Sequence, residues 1–178
     1  SSSTPAPTTG DTSAAVSGPT DTHCNGKDSV KVDPNVCHMV IQKDAGGDGG
    51  GGGMDMSDYG PTNFGSEADD DDCKYHVKWT ASKVAQKTDV TFFVVVTNKS
   101  DNSAMTGSPI RAEVFLNDTH PAPNSPQTSK DNGGGNYTVG PIQFDASGQW
   151  TVRFHFHEEC NDSETSPHGH AAFLVQVP

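Results

Sequence analysis

The C-terminal stretch Trp150–Val177 constrains the fold of this chain more than any other part of the sequence. In Trp150–His157 every second residue is apolar and the residues between are polar, which is the pattern of a strand with one buried face. In His168–Val177 apolar residues again occupy every second position from Ala171 onward. The linker Glu158–Pro167 is polar, as a loop should be. The stretch therefore predicts a β-hairpin.

The register of this hairpin follows from the apolar pattern, because directly opposed residues of an antiparallel pair point to the same face. The register that makes one face wholly apolar opposes His155 to His170 on the other face. It also opposes His157 to His168 there. Cβ atoms of opposed residues lie about 4.5–5.5 Å apart, which is close enough for imidazoles to share one metal ion. The hairpin is therefore predicted to carry a site of four histidines.

Three further side chains are candidate ligands of the same ion. His76 lies in the outward register of a strand predicted after Cys73, and Met54 and Met56 lie in the loop just upstream. Imidazole suits copper, zinc, nickel and iron, whereas thioether sulfur favours Cu(I) among them. We therefore expect copper, with zinc as the alternative. The predicted ligands are His155, His157, His168, His170, His76, Met54 and Met56.

The four cysteines, Cys24, Cys37, Cys73 and Cys160, are widely spaced and form no CxxC motif. An even number of such cysteines indicates disulfides, and three pairings are open. Proximity in the sequence favours Cys24 with Cys37, and the predicted strand ends favour Cys73 with Cys160. Two disulfides indicate an oxidising compartment, so we expect an extracytoplasmic protein that is secreted, periplasmic or a cell-surface lipoprotein.

Composition divides the chain into a folded part and polar segments. Hydrophobic residues make up 31% of the 178 residues, with 19 Gly and 12 Pro, so part of the chain cannot form a packed core. Residues 1–22, rich in Ser, Thr and Pro, are predicted to be a disordered tether. Residues 23–178 are predicted to form one domain with a flexible Gly/Asp-rich insert at 44–72. No apolar run approaches the ~20 residues of a membrane helix, so we expect membrane association only through an N-terminal lipid anchor.

Strand patterns recur from Cys73 onward. Tyr75–Trp79 and Ile110–Leu116 alternate apolar and polar residues, and Val90–Thr97 is a nearly continuous apolar run. His120–Gly135 is rich in proline and glycine and is predicted to be a long loop. We find no amphipathic helical pattern. About seven short strands separated by turns predict an all-β protein, specifically an Ig-like antiparallel β-sandwich.

Charge and motifs exclude some functions. A net charge of −12 argues against binding to nucleic acid or to an anionic membrane surface. There is no G-x-S-x-G motif, and the cysteines are predicted to be paired, so no activated nucleophile is expected. We predict no catalytic residue, and binding is favoured over enzymatic activity. The expected partners are a metal ion and a protein that exchanges it.

Two segments carry a resemblance to a known group of domains. Thr106-Gly-Ser-Pro-Ile-Arg-Ala-Glu-Val114 is similar to the "G-x-P-(V/I)-x-A-x-V" strand of the YtkA-like and FixH-like extracytoplasmic Ig-like domains of bacteria. Gly135–Arg153 looks like their "G-x-Y... G-x-W-x-(V/L)" end. The likeness covers roughly residues 73–177 and implies an Ig-like fold. It also implies an association with copper delivery or cytochrome-oxidase assembly.

A second resemblance is local. Phe154-His-Phe-His-Glu158, followed by Ser166-Pro-His168, resembles the copper-ligand strand and the later Gly-Pro-His of Cu/Zn superoxide dismutases. In that family two strand histidines bind copper and the later one bridges to zinc. The resemblance implies these roles for His155, His157 and His168.

Three functions are consistent with the sequence. The leading hypothesis is an extracytoplasmic protein that binds copper for storage, delivery or sensing through the C-terminal histidines. The first alternative is a copper oxidoreductase similar to superoxide dismutase. The second alternative is a surface or assembly protein that binds no metal and uses its histidine-rich face as an interface.

Overall fold

The computed structural model describes residues 10–28, 61–156 and 169–178, and residues 1–9, 29–60 and 157–168 lie outside the described part. Within the described residues the chain is all-β, as predicted, with ten strands and no helix. The strands are β1 (Thr62–Asn63), β2 (Glu67–Asp69), β3 (Tyr75–Ala81), β4 (Asp89–Asn98), β5 (Ile110–Asn117), β6 (His120–Pro121), β7 (Gln127–Asp131), β8 (Asn136–Gln143), β9 (Gly148–Phe156) and β10 (His170–Val177). This part of the chain thus offers no helix that is long and apolar enough to cross a membrane.

The strands form one mixed sheet in the order β1-β10-β9-β5-β7-β8-β4-β3-β2, and β6 pairs with β5. β1 is parallel to β10, and the other strand pairs are antiparallel. Aromatic rings from the two halves of the sheet meet in the core. The ring centroids of Phe92 and Phe154 lie 6.1 Å apart, and those of Tyr75 and Phe156 lie 5.4 Å apart. The two halves therefore face each other across a shared apolar core.

β9 and β10 pair in the predicted register. His155 lies opposite His170, and Phe154 lies opposite Ala171. Phe154 is fully buried, as expected for the apolar face. Period-two alternation on both strands excludes a shift by one residue, because such a shift would turn every apolar side chain out of the core.

Two strands, β6 and β7, lie where a loop was predicted. β7 is part of the proline- and glycine-rich segment, yet it pairs with β5 on one side and with β8 on the other, so it joins the two halves of the sheet. Its residues, Gln127–Asp131, are all polar and mostly exposed. The strand is therefore held by backbone hydrogen bonds, and it has no apolar pattern from which it could be predicted.

Residues 10–28 pack against the sheet, although residues 10–22 were predicted to be part of a disordered tether. The backbone N–H of Asp11 donates to the Ala81 carbonyl, and the Ala81 N–H donates back to Asp11, each at 2.9 Å. The N–H of Gln176 donates to the Ala14 carbonyl at 2.8 Å. Backbone hydrogen bonds do not require apolar side chains, so a polar composition did not exclude this docking.

Residues 61–72 are also structured, although they were assigned to the flexible insert at 44–72. They contain β1, β2 and most of a turn formed by Asp70–Cys73, which we call the acidic turn. Its first residue, Asp70, is fully buried. The Asp70 carboxylate accepts hydrogen bonds from the N–H groups of Lys74 (2.8 Å) and Tyr75 (2.9 Å). These backbone donors offset the cost of burying the charge.

Cys24 and Cys73 form a disulfide. A disulfide was predicted, but this bond contradicts both predicted pairings, because each of them uses one of these two cysteines. Docking of the N-terminal segment brings Cys24 to the acidic turn that ends at Cys73, so proximity in the sequence was the wrong guide. Cys37 and Cys160 lie outside the described residues.

Candidate metal centre

Three neighbouring strands bring two histidines and a glutamate together. β9 lies between β5 and β10, and its His155 is opposite His170 of β10. Glu113 of β5 is opposite Arg153, which precedes His155 by two residues on the same face of β9. One ligand atom from each of Glu113, His155 and His170 lies within 4.8 Å of the other two. We refer to these three residues as the histidine–glutamate cluster.

The two imidazoles of the cluster are buried and stacked on each other. His155 is 0% exposed and His170 is 1% exposed, although both lie on the face of the sheet opposite the apolar core. Their ring centroids are 4.0 Å apart and their planes differ by 27°. The Glu113 side chain retains 16% exposure. Glu113 is thus the member of the cluster that solvent reaches most readily.

A buried ion pair fixes the glutamate. Arg153 donates to Oε2 of Glu113 from Nε (2.6 Å) and from Nη2. The other carboxylate oxygen, Oε1, lies 3.8 Å from Nδ1 of His155. Burial alone would raise the pKa of Glu113, but the neighbouring His155 and the charge and hydrogen bonds of Arg153 outweigh it, so this pKa lies below its ordinary value. The glutamate is therefore ionised and ready to bind a cation near neutral pH.

An aspartate of the acidic turn holds the other end of the cluster. The backbone N–H of His170 donates to Oδ1 of Asp71 at 2.8 Å, and the Asp71 N–H donates to the His170 carbonyl at 2.8 Å. Oδ2 of Asp71 lies 3.7 Å from Nδ1 of His170. Burial lowers the pKa of His170, and the nearby Asp71 carboxylate opposes this shift without cancelling it. The imidazole is thereby kept neutral, which is the form that binds metal ions.

The cluster has the donor set of known metal sites, although its rings must move to bind an ion. Two imidazoles and one carboxylate bind zinc in some hydrolases and iron in non-haem oxygenases, and they also suit Cu(II). An imidazole nitrogen donates its lone pair in the plane of the ring. Stacked rings cannot both point at one ion, so binding requires the His155 and His170 rings to rotate apart. Such a rotation changes side-chain χ angles and breaks no backbone hydrogen bond between β9 and β10.

The structure brings two of the seven predicted ligands together and places a third at another edge of the sheet. His155 and His170 lie together, as predicted. His76 belongs instead to a charged group at the β2–β3 edge, where its Nδ1 lies 2.8 Å from Oδ1 of Asp69 and its Nε2 lies 3.8 Å from Oε1 of Glu67. The remaining predicted ligands, His157, His168, Met54 and Met56, lie outside the described residues.

Sequence reasoning missed Glu113, Asp71 and Arg153. Glu113 and Arg153 occupy outward positions of strands that were predicted correctly, and a charged residue at such a position usually faces water. Their opposite charges on neighbouring strands would have been informative only if β5 had been known to pair with β9. Asp71 lies within a run of four aspartates, in which no single residue stands out.

Comparisons with known proteins add no relative from which a function could be transferred. No protein-family model, curated protein or solved structure matches this chain. The geometry of its own side chains must therefore support any assignment of function.

Proposed function

We propose that this protein binds a transition-metal ion through the histidine–glutamate cluster, and that the ion is copper, with zinc as the alternative. The observation that carries the proposal is the convergence of possible ligand atoms from Glu113, His155 and His170 within 4.8 Å. For a site of nitrogen and oxygen ligands, Cu(II) is the divalent first-row ion that generally binds most tightly. His157, His168, Met54 and Met56 are proposed as additional ligands.

The proposed biological role is storage, delivery or sensing of copper outside the cytoplasm. The Cys24–Cys73 disulfide supports an oxidising compartment. The two facing halves of the all-β sheet are compatible with an Ig-like sandwich, which we propose as the finer description of the fold. A carrier would also need a protein partner that exchanges the ion.

Burial of the histidines favours a metal site over a histidine-rich interface. His155 and His170 are 0% and 1% exposed, so neither could contact a protein partner without first being uncovered. A metal ion, in contrast, is small enough to bind between buried ligands, and a low-dielectric environment strengthens its attraction to the Glu113 carboxylate.

Calorimetric titration with Cu(II) and Zn(II) tests the proposal, with a parallel Cu(I) competition assay. Wild type is compared with the variants Glu113→Gln and His155→Gln/His170→Gln. The matched control is His120→Gln, which removes an imidazole that is bonded to Asp145 at the surface. We expect one ion per chain in wild type and control, and a loss of affinity of at least tenfold in the cluster variants.

The readouts separate the three functions. Tight copper binding that the cluster variants lose supports a carrier or sensor, and the same binding together with catalysed removal of superoxide supports the oxidoreductase. Equal and weak binding by wild type and the cluster variants would refute the metal site. Circular dichroism of each variant establishes that the sheet is intact before its affinity is interpreted.

A further inference from the structure

A second group of ligand-type side chains lies on the docked N-terminal segment. His23, Cys24 and Cys73 each place one possible ligand atom within 4.8 Å of the other two, and we refer to them as the cysteine–histidine cluster. In the structure the two sulfurs are bonded to each other, so neither is a thiolate. Any ligand chemistry of this cluster therefore depends on the redox state of the disulfide.

The histidine of this cluster is oriented as metal-bound histidines usually are. Nδ1 of His23 makes a short contact with the Asp21 carboxylate. The other ring nitrogen, Nε2, lies 3.1 Å from Sγ of Cys24 and 2.9 Å from the Asp70 carbonyl oxygen. A carboxylate that accepts a hydrogen bond from one nitrogen, while the other faces the ion, is the common arrangement behind a histidine ligand. Asp21 thus orients the imidazole towards the sulfurs.

Backbone hydrogen bonds, in addition to the disulfide, hold both cysteines in position. The Cys73 N–H donates to the Asp70 carbonyl at 3.1 Å, in a turn that the Asp70 carboxylate also caps. Cys24 lies in a turn where the N–H of Asn25 donates to the Thr22 carbonyl at 3.0 Å and the Lys27 N–H donates to the Cys24 carbonyl at 3.1 Å. These bonds do not involve sulfur, so they remain available to hold the two turns when the S–S bond is broken.

We propose that reduction of the Cys24–Cys73 disulfide creates a second metal site, in which both sulfurs and Nε2 of His23 bind a soft d¹⁰ ion, Zn(II) or Cu(I). The reductant is a dithiol, which gives two electrons and two protons to the disulfide and becomes a cyclic disulfide itself. Each cysteine thiol then loses its proton to water as its sulfur donates an electron pair to the ion. Nε2 of His23 gives up its contact with the Asp70 carbonyl in the same step, and the proton that it shares with that carbonyl passes to water.

The donor set and its surroundings determine which ions this site takes. Thiolates select Zn(II) and Cu(I) over harder ions, and two cysteines with one histidine leave a fourth zinc position open. Cys24 and Cys73 are 5% and 2% exposed, so the reductant must reach them through local opening of residues 21–28. The site would therefore respond to reduction rather than to metal concentration alone.

Cobalt(II) is the probe for a test, because a bound thiolate gives it a sulfur-to-metal charge-transfer absorption that histidine and carboxylate ligands do not. The experiment uses the full chain with Cys37→Ser/Cys160→Ser, which leaves Cys24 and Cys73 as its cysteines. Oxidised and dithiol-reduced samples, freed of reductant without oxygen, are titrated with Co(II) and then with Zn(II). The charge-transfer band should appear on addition of Co(II) to the reduced sample alone, should saturate at one thiolate-bound Co(II) per chain, and should disappear as zinc replaces cobalt.

Two substitutions test the role of the histidine. His23→Gln should weaken binding by more than tenfold, and Asp21→Asn should weaken it about 10–100-fold. The matched control is Asp11→Asn, since Asp11 lies on the same segment and its carboxylate bonds only to Ser13 among the described contacts. The control should bind Co(II) as the parent does.

Three results would overturn the proposal. The first is a reduced, folded chain without the charge-transfer band, and the second is a band of unchanged affinity in His23→Gln. The third is loss, on reduction, of the near-ultraviolet circular dichroism of the buried tryptophans, which would show that the packed core does not survive cleavage of the disulfide. The histidine–glutamate cluster and the methionines proposed beside it contain no thiolate, so the first metal site cannot produce the band. Failure here is therefore distinguishable from failure of the first metal site.

Discussion

The histidine–glutamate cluster lies on three hydrogen-bonded strands. The cysteine–histidine cluster lies on two turns, which are joined by the Cys24–Cys73 disulfide and by the contact of His23 with the Asp70 carbonyl. In the histidine–glutamate cluster, the register of the sheet sets the position of each side chain. In the cysteine–histidine cluster, position depends on whether a polar segment stays docked. A ligand on a strand can therefore be replaced without displacing its neighbours, whereas loss of docking would separate the ligands of the cysteine–histidine cluster.

The largest effect on stability is expected from removal of the disulfide. The bond closes a loop across a sequence separation of 49 residues, for which the chain-entropy account gives about 4 kcal/mol. Cys24→Ala/Cys73→Ala, made in the Cys37→Ser/Cys160→Ser background, should lose about this much unfolding free energy in a urea titration. Peptide mapping of the unreduced parent checks the pairing. A loss below about 1 kcal/mol would show that the bond adds little unfolding free energy beyond the contacts that already dock the segment.

The next largest effect on stability is expected from the ion pair between Arg153 and Glu113 of the histidine–glutamate cluster. Arg153→Met leaves the Glu113 carboxylate without its buried guanidinium and should cost about 3 kcal/mol, whereas Glu113→Leu/Arg153→Met should recover much of that loss. The exposed pair of Lys78 with Glu67, at 3.3 Å, is the control, and Lys78→Met should cost less than about 1 kcal/mol. Equal costs for the two single variants would mean that the Arg153 pair is as solvated as a surface pair.

A smaller effect should follow from a change that disturbs docking alone. A Cβ at Gly18 would lie 2.3 Å from the Phe64 ring, so Gly18→Ala must displace either the ring or the segment, at a cost of about 2 kcal/mol. Gly26→Ala is the matched control: its Cβ meets nothing within 4 Å, and the cost should be only the strain of its positive φ, about 1 kcal/mol. Hydrogen exchange at the Ala81 amide, which bonds to the docked segment, reports the difference. Faster exchange in the Gly26 variant than in the Gly18 variant would contradict this account.

The two clusters also differ in how far the sequence could predict them. The pairing of His155 with His170 was predictable because both strands alternate and their apolar faces must meet. Glu113 was not, because no turn connects β5 to β9 and no local pattern indicates which distant strand will be its neighbour. The all-β class needed only the count of strand patterns.

The cysteine–histidine cluster lacked even a local signal in the sequence. Its cysteines pair through docking of a polar segment by backbone hydrogen bonds, which every sequence can form. The same reason explains why polar β7 was missed and why residues 61–72 were assigned to a flexible insert. Sequence patterns report burial of side chains, so elements that are held mainly by the backbone are predicted least well.

A pH titration of stability distinguishes the clusters by the titration of one histidine. The pKa of His170 is lowered by burial, so between its unfolded pKa of about 6.5 and its folded pKa the unfolded chain binds more protons than the folded one. The stability of the metal-free protein should therefore fall as pH decreases from about 7 to 5, because folding must then keep a buried imidazole uncharged. His170→Gln should flatten this part of the profile. Protonation of Glu113 causes a further loss of stability, which begins only at lower pH because the folded pKa of Glu113 lies below its ordinary value. This loss should persist in His170→Gln. An unchanged slope between pH 7 and 5 in His170→Gln would show that the imidazole titrates as if it were exposed. That result would contradict its position between β9 and Asp71.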